Sequence, residues 1–521
     1  MKRWWREMEN SLNKNCLPES WELATVNDIS LRIHYGYTAT ATNKNTGVKY
    51  LRITDVQDNK VDWRQVPFCE IPDNEIEKFV LHKDDLVFAR TGGTVGKSFL
   101  IKDDVPKNSV FASYLIRIVL TSYIESKLIA YFFQSNNYWS QIELGKTGLK
   151  TNVSAQILSK IEFSLPPLPE QRAIVAKIEQ LFSELDNGIA SLKKAQEQLK
   201  VYRQAVLKWA FEGKLTEKWR AENKVKLETA KELLRKIKEE RQRRYEQELA
   251  DYKAGRIKTK PKPPKELSPL TEKELAELPQ LPEGWGWEKL GRLCPFNRKC
   301  AYGVLVPGNH VEDGIPLVRV GDIDENGRVN IAGLKKIDPE IANKFQRTFL
   351  EGGEILISLV GAIGRTAIAP LCLKGANTAR AVGVIPLTNL VNNQYVELSL
   401  RNPIKIQEHI GSAHEVARKT LNLEDVERTA IPLCSISEQH QIVLEIEARL
   451  SVVEKFEQTI SESLQKAEAL RQSILKKAFE GKLLSAKELE TVRKDPEWEP
   501  AEKLLERIKA EKQHLSKGRK P

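Results

Sequence analysis

The sequence predicts an α+β fold class: two homologous α+β domains separated by two long helices that pair as an antiparallel coiled coil, in a pseudo-two-fold internal repeat. Three observations predict it. Most of the 521-residue chain is duplicated, the first part of each copy holds short β-rich runs between glycine turns, and the second part carries a seven-residue apolar rhythm.

The duplication has a period near 268 residues. LPESW at Leu17 answers LPEGW at Leu281, and Tyr35-Gly36 answers Tyr302-Gly303. GVKYLRITDV at Gly47 answers GIPLVRVGDI at Gly314, and DDLVFARTGGTVGKS at Asp84 answers GEILISLVGAIGRT at Gly353. From Glu170 to Leu215 a fixed offset of 268 gives 17 identities in 46 positions, 10 of them in the last 13. Between these anchors the copies diverge, so a shared scaffold carries different loops.

Each copy opens with a domain (1–165 and 281–433) in which runs such as VKYLRITDV, DLVFAR and SYLIRIVL alternate with glycine turns. Proline then punctuates LPPLPEQ, and Glu170 and Gln171 stand in the first turn of a helix, where acidic charge suits the dipole. The spacer helices occupy 166–215 and 434–484. In the first, one seam position holds Ile178, Leu185, Leu192, Leu199 and Val206; the other holds Ile174, Leu181, Gly188, Ala195, Tyr202 and Trp209. Five proline-free heptads argue for a coiled coil, closed by glycine at Gly213. The second copy reads Ile442, Ile446, Val453, Phe456, Ile460, Leu470 and Ile474, with Arg449 and Lys477 on the seam. A helix of about 40 residues rises ~60 Å and cannot bury its stripe alone, so its partner is its own duplicate. Between the copies lies a charged helical linker (216–280), in which ETAKELLRKIKEER precedes an extended KTKPKPPKELSP. The helix recurs as EPAEKLLERIKAEK in the charged tail, 485–521.

Composition excludes several classes. With 41% hydrophobic and 29% charged residues the chain has a core, yet no run approaches the ~20 apolar residues of a membrane span. MKRWWREMENS continues into no apolar segment, so the cytoplasm is expected. The six cysteines form no CxxC pair; Cys294 and Cys300, with His310 nearby, fit no common zinc spacing, and free buried thiols are expected. The net charge of +11 is concentrated: residues 217–265 hold 17 Lys/Arg against 9 Asp/Glu, and the tail from Ala501 holds 7 against 3. Everything else sums to about −1, and the linker reads as a solvated charged helix.

Catalytic machinery is not found. A DNA-adenine methyltransferase needs a glycine-rich cofactor loop and an Asn/Asp-Pro-Pro-aromatic motif; the proline pairs here are LPPLP and KPPK. TGGTVGKS fails as a phosphate loop, because Thr91 stands where its first glycine belongs and the duplicate LVGAIGRT lacks the lysine. No carboxylate pair with a lysine repeats between copies as a nuclease site would. Asp55 and Asp322 do repeat, each at a turn, where capping is the expected role.

Duplicated domains, each followed by a PLPPLxEQ-type helix ending in AFEGKL, closely resemble the specificity subunit of Type I restriction–modification systems, over nearly the whole chain. ARTGGTVGK, SLVGAIGR and the ANTARAVGVIPL run at Ala376 resemble that family's target-recognition domains. The resemblance implies a non-catalytic, sequence-specific subunit that binds double-stranded DNA and two modification (methyltransferase) subunits. These carry S-adenosylmethionine and methylate adenine at N6; restriction subunits add an ATP- and Mg-dependent nuclease. Each domain then reads half of a split target, and the helices set the gap. Rival readings are a self-contained methyltransferase or fused restriction enzyme, and a helical scaffold that binds no DNA.

Base edges are read by Arg, Lys, Asn and Gln reaching from loops on a rigid frame. The DNA-binding candidates are Tyr35, Lys44, Arg90, Thr91, Lys97, Lys146 and Lys150 in the first domain, and Arg298, Lys299, Tyr302, Ser358, Arg365, Arg418 and Lys419 in the second. Lys150-Thr151 and Lys419-Thr420 match, which favours a phosphate role, and Arg90 is set opposite Ser358 as a position of sequence choice.

Overall fold

A computed structural model describes residues 17–57, 59–92, 94–145, 152–264, 267–415 and 419–517. The chain divides into two compact units, Met1–Lys193 with Ser461–Pro521, and Lys194–Ile460.

The first unit is built on a four-stranded antiparallel sheet of β1 (Ser30–Tyr35), β2 (Leu86–Ala89), β3 (Ser98–Leu100) and β4 (Leu115–Leu120), in the order β1-β4-β2-β3. The second repeats it with β5 (Ala301–Tyr302), β6 (Ile355–Ser358), β7 (Thr366–Ile368) and β8 (Val382–Ile385), in the order β5-β8-β6-β7. The near-continuous apolar runs arise because both faces of the central strands are covered. Alternate residues of a strand point to opposite faces, so Leu86 and Phe88 join one core cluster and Val87 another. Ile355 and Ile357 are likewise separated from Leu356. A two-stranded pair closes each domain at its base: Glu22–Thr25 with Glu162–Leu165, and Gly286–Lys289 with Ala430–Leu433.

Four helices complete the scaffold: α1 (Leu168–Phe211), α2 (Ala230–Lys253), α3 (Ile436–Phe479) and α4 (Ala501–Lys517). Both α1 and α3 run 44 residues. In the first unit the start of α1 packs on the end of α3, with Ile174, Val175, Ile178 and Phe182 clustering with Ile474, Leu475, Ala478 and Phe479. In the second unit the end of α1 (Val206, Leu207, Ala210, Phe211) clusters with the start of α3 (Ile442, Val443, Ile446). The pairing is therefore antiparallel.

One seam position is phased as the sequence predicts. Ile178 and Val206 are buried and Leu185, Leu192 and Leu199 half-buried, while in α3 the residues Ile446, Val453, Ile460, Ala467 and Ile474 are buried at strict heptad spacing. The other position is corrected by one residue. It runs through Val175, Phe182, Ile189, Gln196, Arg203 and Ala210, and through Val443, Leu450, Glu457, Leu464, Arg471 and Ala478, all buried or half-buried. Ile174, Leu181 and Ile442 flank it, whereas Gly188, Tyr202, Trp209, Phe456 (56% exposed), Leu470 (51% exposed) and Lys477 face outward. Arg449 bonds to Glu445 on its own helix. The polar seam residues are duplicates 268 apart: Arg203 reaches Glu457 at 3.0 Å, and Arg471 bonds to Asp186 with its guanidinium 4.2 Å from the Phe182 ring.

The repeated motifs lock onto one another. Buried Glu170 accepts from the indoles of Trp21 (2.7 Å) and Trp498 (3.1 Å). Its counterpart Glu438 accepts from Trp285 (2.9 Å), Thr216 (2.8 Å) and Arg220 (3.1 Å). Gln171 and Gln439 each donate to a carbonyl at the helix entrance (Pro166, Cys434) and accept an amide N–H from the domain (Glu125, Asn392), all four bonds at 2.9 Å. At the helix ends Gly213 and Gly481 adopt φ of +72° and +70°. A Cβ there would sit 2.4 Å from the ring of Pro282 or Pro18, so AFEGKL docks on LPExW of the other copy. The linker and tail helices are not merely solvated. Ala230, Leu233 and Ile237 of α2 enter the second unit's core, and Ala501, Leu504 and Ile508 of α4 enter the first's.

One buried acid makes stability depend on pH. Glu397 accepts a 2.7 Å bond from Thr366, and burial pushes its carboxyl up to about 7, against the pull of Arg401. Because the folded state holds the proton more tightly, this stabilisation is full below the ordinary carboxylate pKa and is lost as pH rises through about 7. Glu397→Gln is expected to match the parent near pH 4 and to exceed it at pH 8 by as much as about 3 kcal/mol. Thermal unfolding at both pH values checks this; equal gains at both would refute it.

Candidate nucleic-acid interface

The glycine turns join β2 to β3 and β6 to β7, and their hydrogen bonds set the correspondence between copies. Ala89 N–H donates to Lys97 O and Gly96 N–H to Ala89 O (both 2.9 Å); Ser358 N–H donates to Arg365 O (2.8 Å) and Gly364 N–H to Ser358 O (3.0 Å). Lys97 and Arg365 are thus equivalent, and Ser358 matches Ala89. Arg90 matches Leu359, since Val153 N–H donates to Arg90 O as Leu421 N–H does to Leu359 O. The pairing of Arg90 with Ser358 is corrected by one residue, because the first turn is one residue longer. Gly92, Gly96, Gly361 and Gly364 all take φ between +80° and +87°, open to glycine at no steric cost.

A helix buttresses each turn. On Gly96 a Cβ would stand 3.0 Å from the Trp139 ring, and on Gly364 one would stand 3.6 Å from His409 Nδ1. Burial pulls His409 down to about 4, and its Nε2 pairs with Thr429 Oγ1 at 2.9 Å.

The Tyr-Gly pairs have a structural function that spacing alone did not reveal. The Tyr35 hydroxyl accepts from Ala155 N–H (3.2 Å) and the Tyr302 hydroxyl from Leu423 N–H (2.9 Å), each at the first turn of a short helix. The next glycine lies against backbone: a Cβ on Gly36 or Gly303 would come within 2.2 Å of a carbonyl oxygen. Both tyrosine rings remain exposed, and the Arg90 guanidinium stacks 4.8 Å from the Tyr35 ring. Tyr35, Arg90, Thr91 and Lys97 therefore lie together about the first glycine turn, Lys97 exposed. Lys44, also exposed, lies on the separate loop after β1.

In the second unit Lys299 is exposed just before β5, and Lys419-Thr420 pairs with His414-Glu415 while Thr420 bridges to Val360 at the glycine turn. The half-buried Arg365 donates to Ile323 O (3.0 Å) and to exposed Glu325 (3.4 Å). Two candidates are reassigned. Ser358 is fully buried, with its hydroxyl donating to Ala362 O and accepting from Arg365 N–H, so it braces the turn. Arg298 is clamped by Glu354 (2.8 Å), Glu351 (3.2 Å) and Phe349 O (3.0 Å), which turns its guanidinium inward. Lys146, Lys150 and Arg418 lie outside the described residues, as does Thr151. Arg380, not singled out in the ANTARAVG run, is exposed and its N–H donates to Val304 O (2.8 Å) beside Tyr302-Gly303. Asp55 and Asp322 do cap turns, each receiving the N–H (2.8 Å) and guanidinium of Arg52 or Arg319.

Among the described residues no group of three or more His, Cys, Asp or Glu is placed to hold a metal, and no helix is long and apolar enough to cross a membrane. The Cys294 and Cys300 sulfurs lie 3.8 Å apart, and this contact with Cys294, together with burial, pushes the Cys300 thiol well up.

One α+β recognition frame carried twice on paired helices, with different residues on equivalent turns, defines a two-part recognition protein. Residues 18–197 and 282–466 match the model of the Type I restriction modification DNA specificity domain, and the chain belongs to that family. It is 32% identical over 362 residues to the Type I restriction enzyme EcoBI specificity subunit of Escherichia coli, covering 69% of this chain and 66% of that one. It is 25% identical over 515 residues to the EcoKI specificity subunit of Escherichia coli K12, covering 95% and 96%. A chain from a solved structure concerning complex assembly and conformational transition of the type I R-M system has the same fold. Its TM-score is 0.62 at 18% identity, over 90% of this chain and 99% of that one.

The correspondence of turns sorts the cationic candidates into a shared and an unshared position. Lys97 and Arg365 are cationic in both copies, as a shared phosphate contact would be, whereas the half-buried Arg90 has no exposed counterpart, because Leu359 is buried in the core. Arg90→Ala is expected to relax one position of one half-site by about 1–3 kcal/mol. Lys97→Gln should weaken target and non-target duplex alike. Competition binding with singly substituted half-sites decides; an unaltered preference profile for Arg90→Ala would remove it as a reader.

Proposed function

We propose that this chain is the non-catalytic, DNA-reading subunit of a Type I restriction–modification complex. Each domain reads one half of a split duplex target, and the paired helices fix the unspecified gap. The observation that carries this reading is the equivalent pair of glycine turns, held by the same hydrogen bonds yet flanked by the half-buried cation Arg90 in the first copy and by Leu359, buried in the core, in the second. A rigid frame with variable loop residues is the general arrangement for recognition.

The chemistry then belongs to partners. Two modification subunits bind S-adenosylmethionine and methylate adenine at N6, one for each half-site. Restriction subunits bring ATP- and Mg-dependent cleavage. The complex works in the cytoplasm, where the DNA is. Docking of the modification subunits is supported by apolar side chains turned away from the seam. Tyr202 and Leu470, duplicates at an offset of 268, are both exposed on the spacer helices, as are Trp209, Val452 and Phe456.

Mapping methylated adenines in cells that carry this gene with its modification subunit tests the reading. Two unlike half-sites at a fixed separation are expected, with no methylation when either gene is absent. Purified alone, the chain should neither bind S-adenosylmethionine nor methylate DNA; methyl transfer by the lone protein would overturn the assignment.

A further inference from the structure

The excess charge of the linker is unevenly placed. From Glu217 to Lys253 there are 12 Lys/Arg against 9 Asp/Glu, whereas the ten residues from Arg256 to Lys265 hold five cations and no acid. Arg256 pairs with Asp251 at 3.0 Å, but Lys258, Lys260 and Lys262 are exposed and form no salt bridge among the described residues. After bends at 256–259, Pro261, Pro263 and Pro264 favour an extended course for 260–264, since their φ is fixed and they offer no N–H to a helix or sheet. Every second residue from Lys258 to Lys262 is a lysine, and in an extended course Lys260 and Lys262 lie ~6 Å apart at about 3.1 Å per residue. Two phosphate steps along one DNA strand rise ~7 Å.

Both ends of the run are fixed to the second unit. It leaves α2 through Gly255, at φ +71°, with Arg256 N–H on Asp251 O. Beyond it, Leu267 O accepts from Arg292 Nη1 at 2.7 Å, and Pro264 and Leu267 share a cleft of about 220 Å³ with Arg241, Phe296 and Lys299. Lys299 stands just before Tyr302, so the run ends beside the second domain's candidate reading edge.

We propose that Lys258, Lys260 and Lys262 form a sequence-independent contact with the phosphate backbone of the duplex flanking the second half-site. This rests on the DNA-reading function above and adds to it a contact outside the target. An acidic protein surface is the less fitting partner. Interface cores are built on aromatic and apolar anchors and are depleted in lysine, and among 256–264 only Ile257 and the prolines offer apolar surface. Phosphate neutralisation needs only charge, and each contact made adds about 0.9 to the slope of log affinity against log salt.

The test uses the full chain assembled with its modification subunits, as parent, as the triple variant K258Q/K260Q/K262Q, and as the charge-keeping triple K258R/K260R/K262R. Affinities are measured at 50 and 200 mM salt on target and scrambled duplexes, with long flanks or with the flank beyond the second half-site trimmed. The glutamine variant is expected to lose about 2–3 units of salt slope. Its deficit against the parent should therefore shrink by up to about 40-fold between the two salt concentrations. The deficit should be equal on target and scrambled DNA, disappear on the trimmed duplex, and be restored by arginine, with the methylated bases unchanged. An unchanged slope, a deficit that survives trimming, or loss of the modification subunits from the glutamine variant each overturns the contact. A parent complex without preference for any duplex would instead bring down the reading beneath it.

Discussion

Replacing Glu438 by alanine is expected to destabilise the second unit by about 3–5 kcal/mol, more than any other single change at the helix entrances. The carboxylate is 1% exposed and receives three donors, one of them the Arg220 guanidinium. Without it, Arg220 keeps its bond to Gly213 O (2.6 Å) and its place over the Trp285 ring, but its charge is left largely buried without a counter-ion. Breaking a buried pair from one side costs more than the pair contributes, because the remaining charge cannot recover its hydration. Glu170→Ala is the internal comparison. Its carboxylate is equally buried but is bonded by two neutral indoles, so its loss removes two hydrogen bonds without orphaning a cation. Calorimetry should therefore show the Glu438→Ala transition displaced downward by about 10 °C, with Glu170→Ala displaced less. The reverse order would mean that Arg220 finds water or another acid, and that the lock is held by its tryptophans.

That lock also marks how far the sequence could be read. LPExW and PLPPLxEQ stand out as repeated strings, yet the bond between Trp21 and Glu170 spans 149 residues, and no local periodicity announces it. The long helices, their antiparallel pairing and the duplicated α+β frame were legible, because a heptad rhythm and a 268-residue repeat are properties of the string. The phase of the second seam position was not. Ile174 and Val175, and Leu181 and Phe182, offer two adjacent apolar tracks, and only contact with the partner helix selects between them. Hence Tyr202, Phe456 and Leu470 read as seam and lie exposed. The same limit displaced Arg90 onto Ser358: one extra residue in the first turn shifts the alignment, and hydrogen bonds at Ala89 and Ser358 reveal it. Arg298 read as a free cation because Glu351 and Glu354 lie more than 50 residues away.

Lengthening both spacer helices by one heptad is expected to change the gap and nothing else in the recognised sequence. Insertions after Leu192 and after Ile460 fall beside the boundaries of the two units, Lys193/Lys194 and Ile460/Ser461, and so cut into neither domain's own core. Seven residues preserve the seam, with Leu192 still followed in phase by Leu199 and Ile460 by Ala467. Each helix gains about 10 Å at 1.5 Å per residue, equivalent to about three base pairs of duplex. Rotation opposes the full increment. Three base pairs turn the far half-site by ~100°, whereas seven residues make nearly two complete helical turns and leave the domain almost unrotated. The gap in the methylated target is therefore expected to grow by about one to three base pairs, with affinity reduced by the twist that remains. Both half-site sequences should be unchanged, because the turns at Arg90–Lys97 and Leu359–Arg365 are untouched. Adenine-methylation mapping with the doubly inserted chain and its modification subunit reads this directly. A four-residue insertion at the same points, which rotates the seam off its partner, should abolish assembly. A folded, active heptad variant that still methylates targets of the original gap would show that these helices do not measure it.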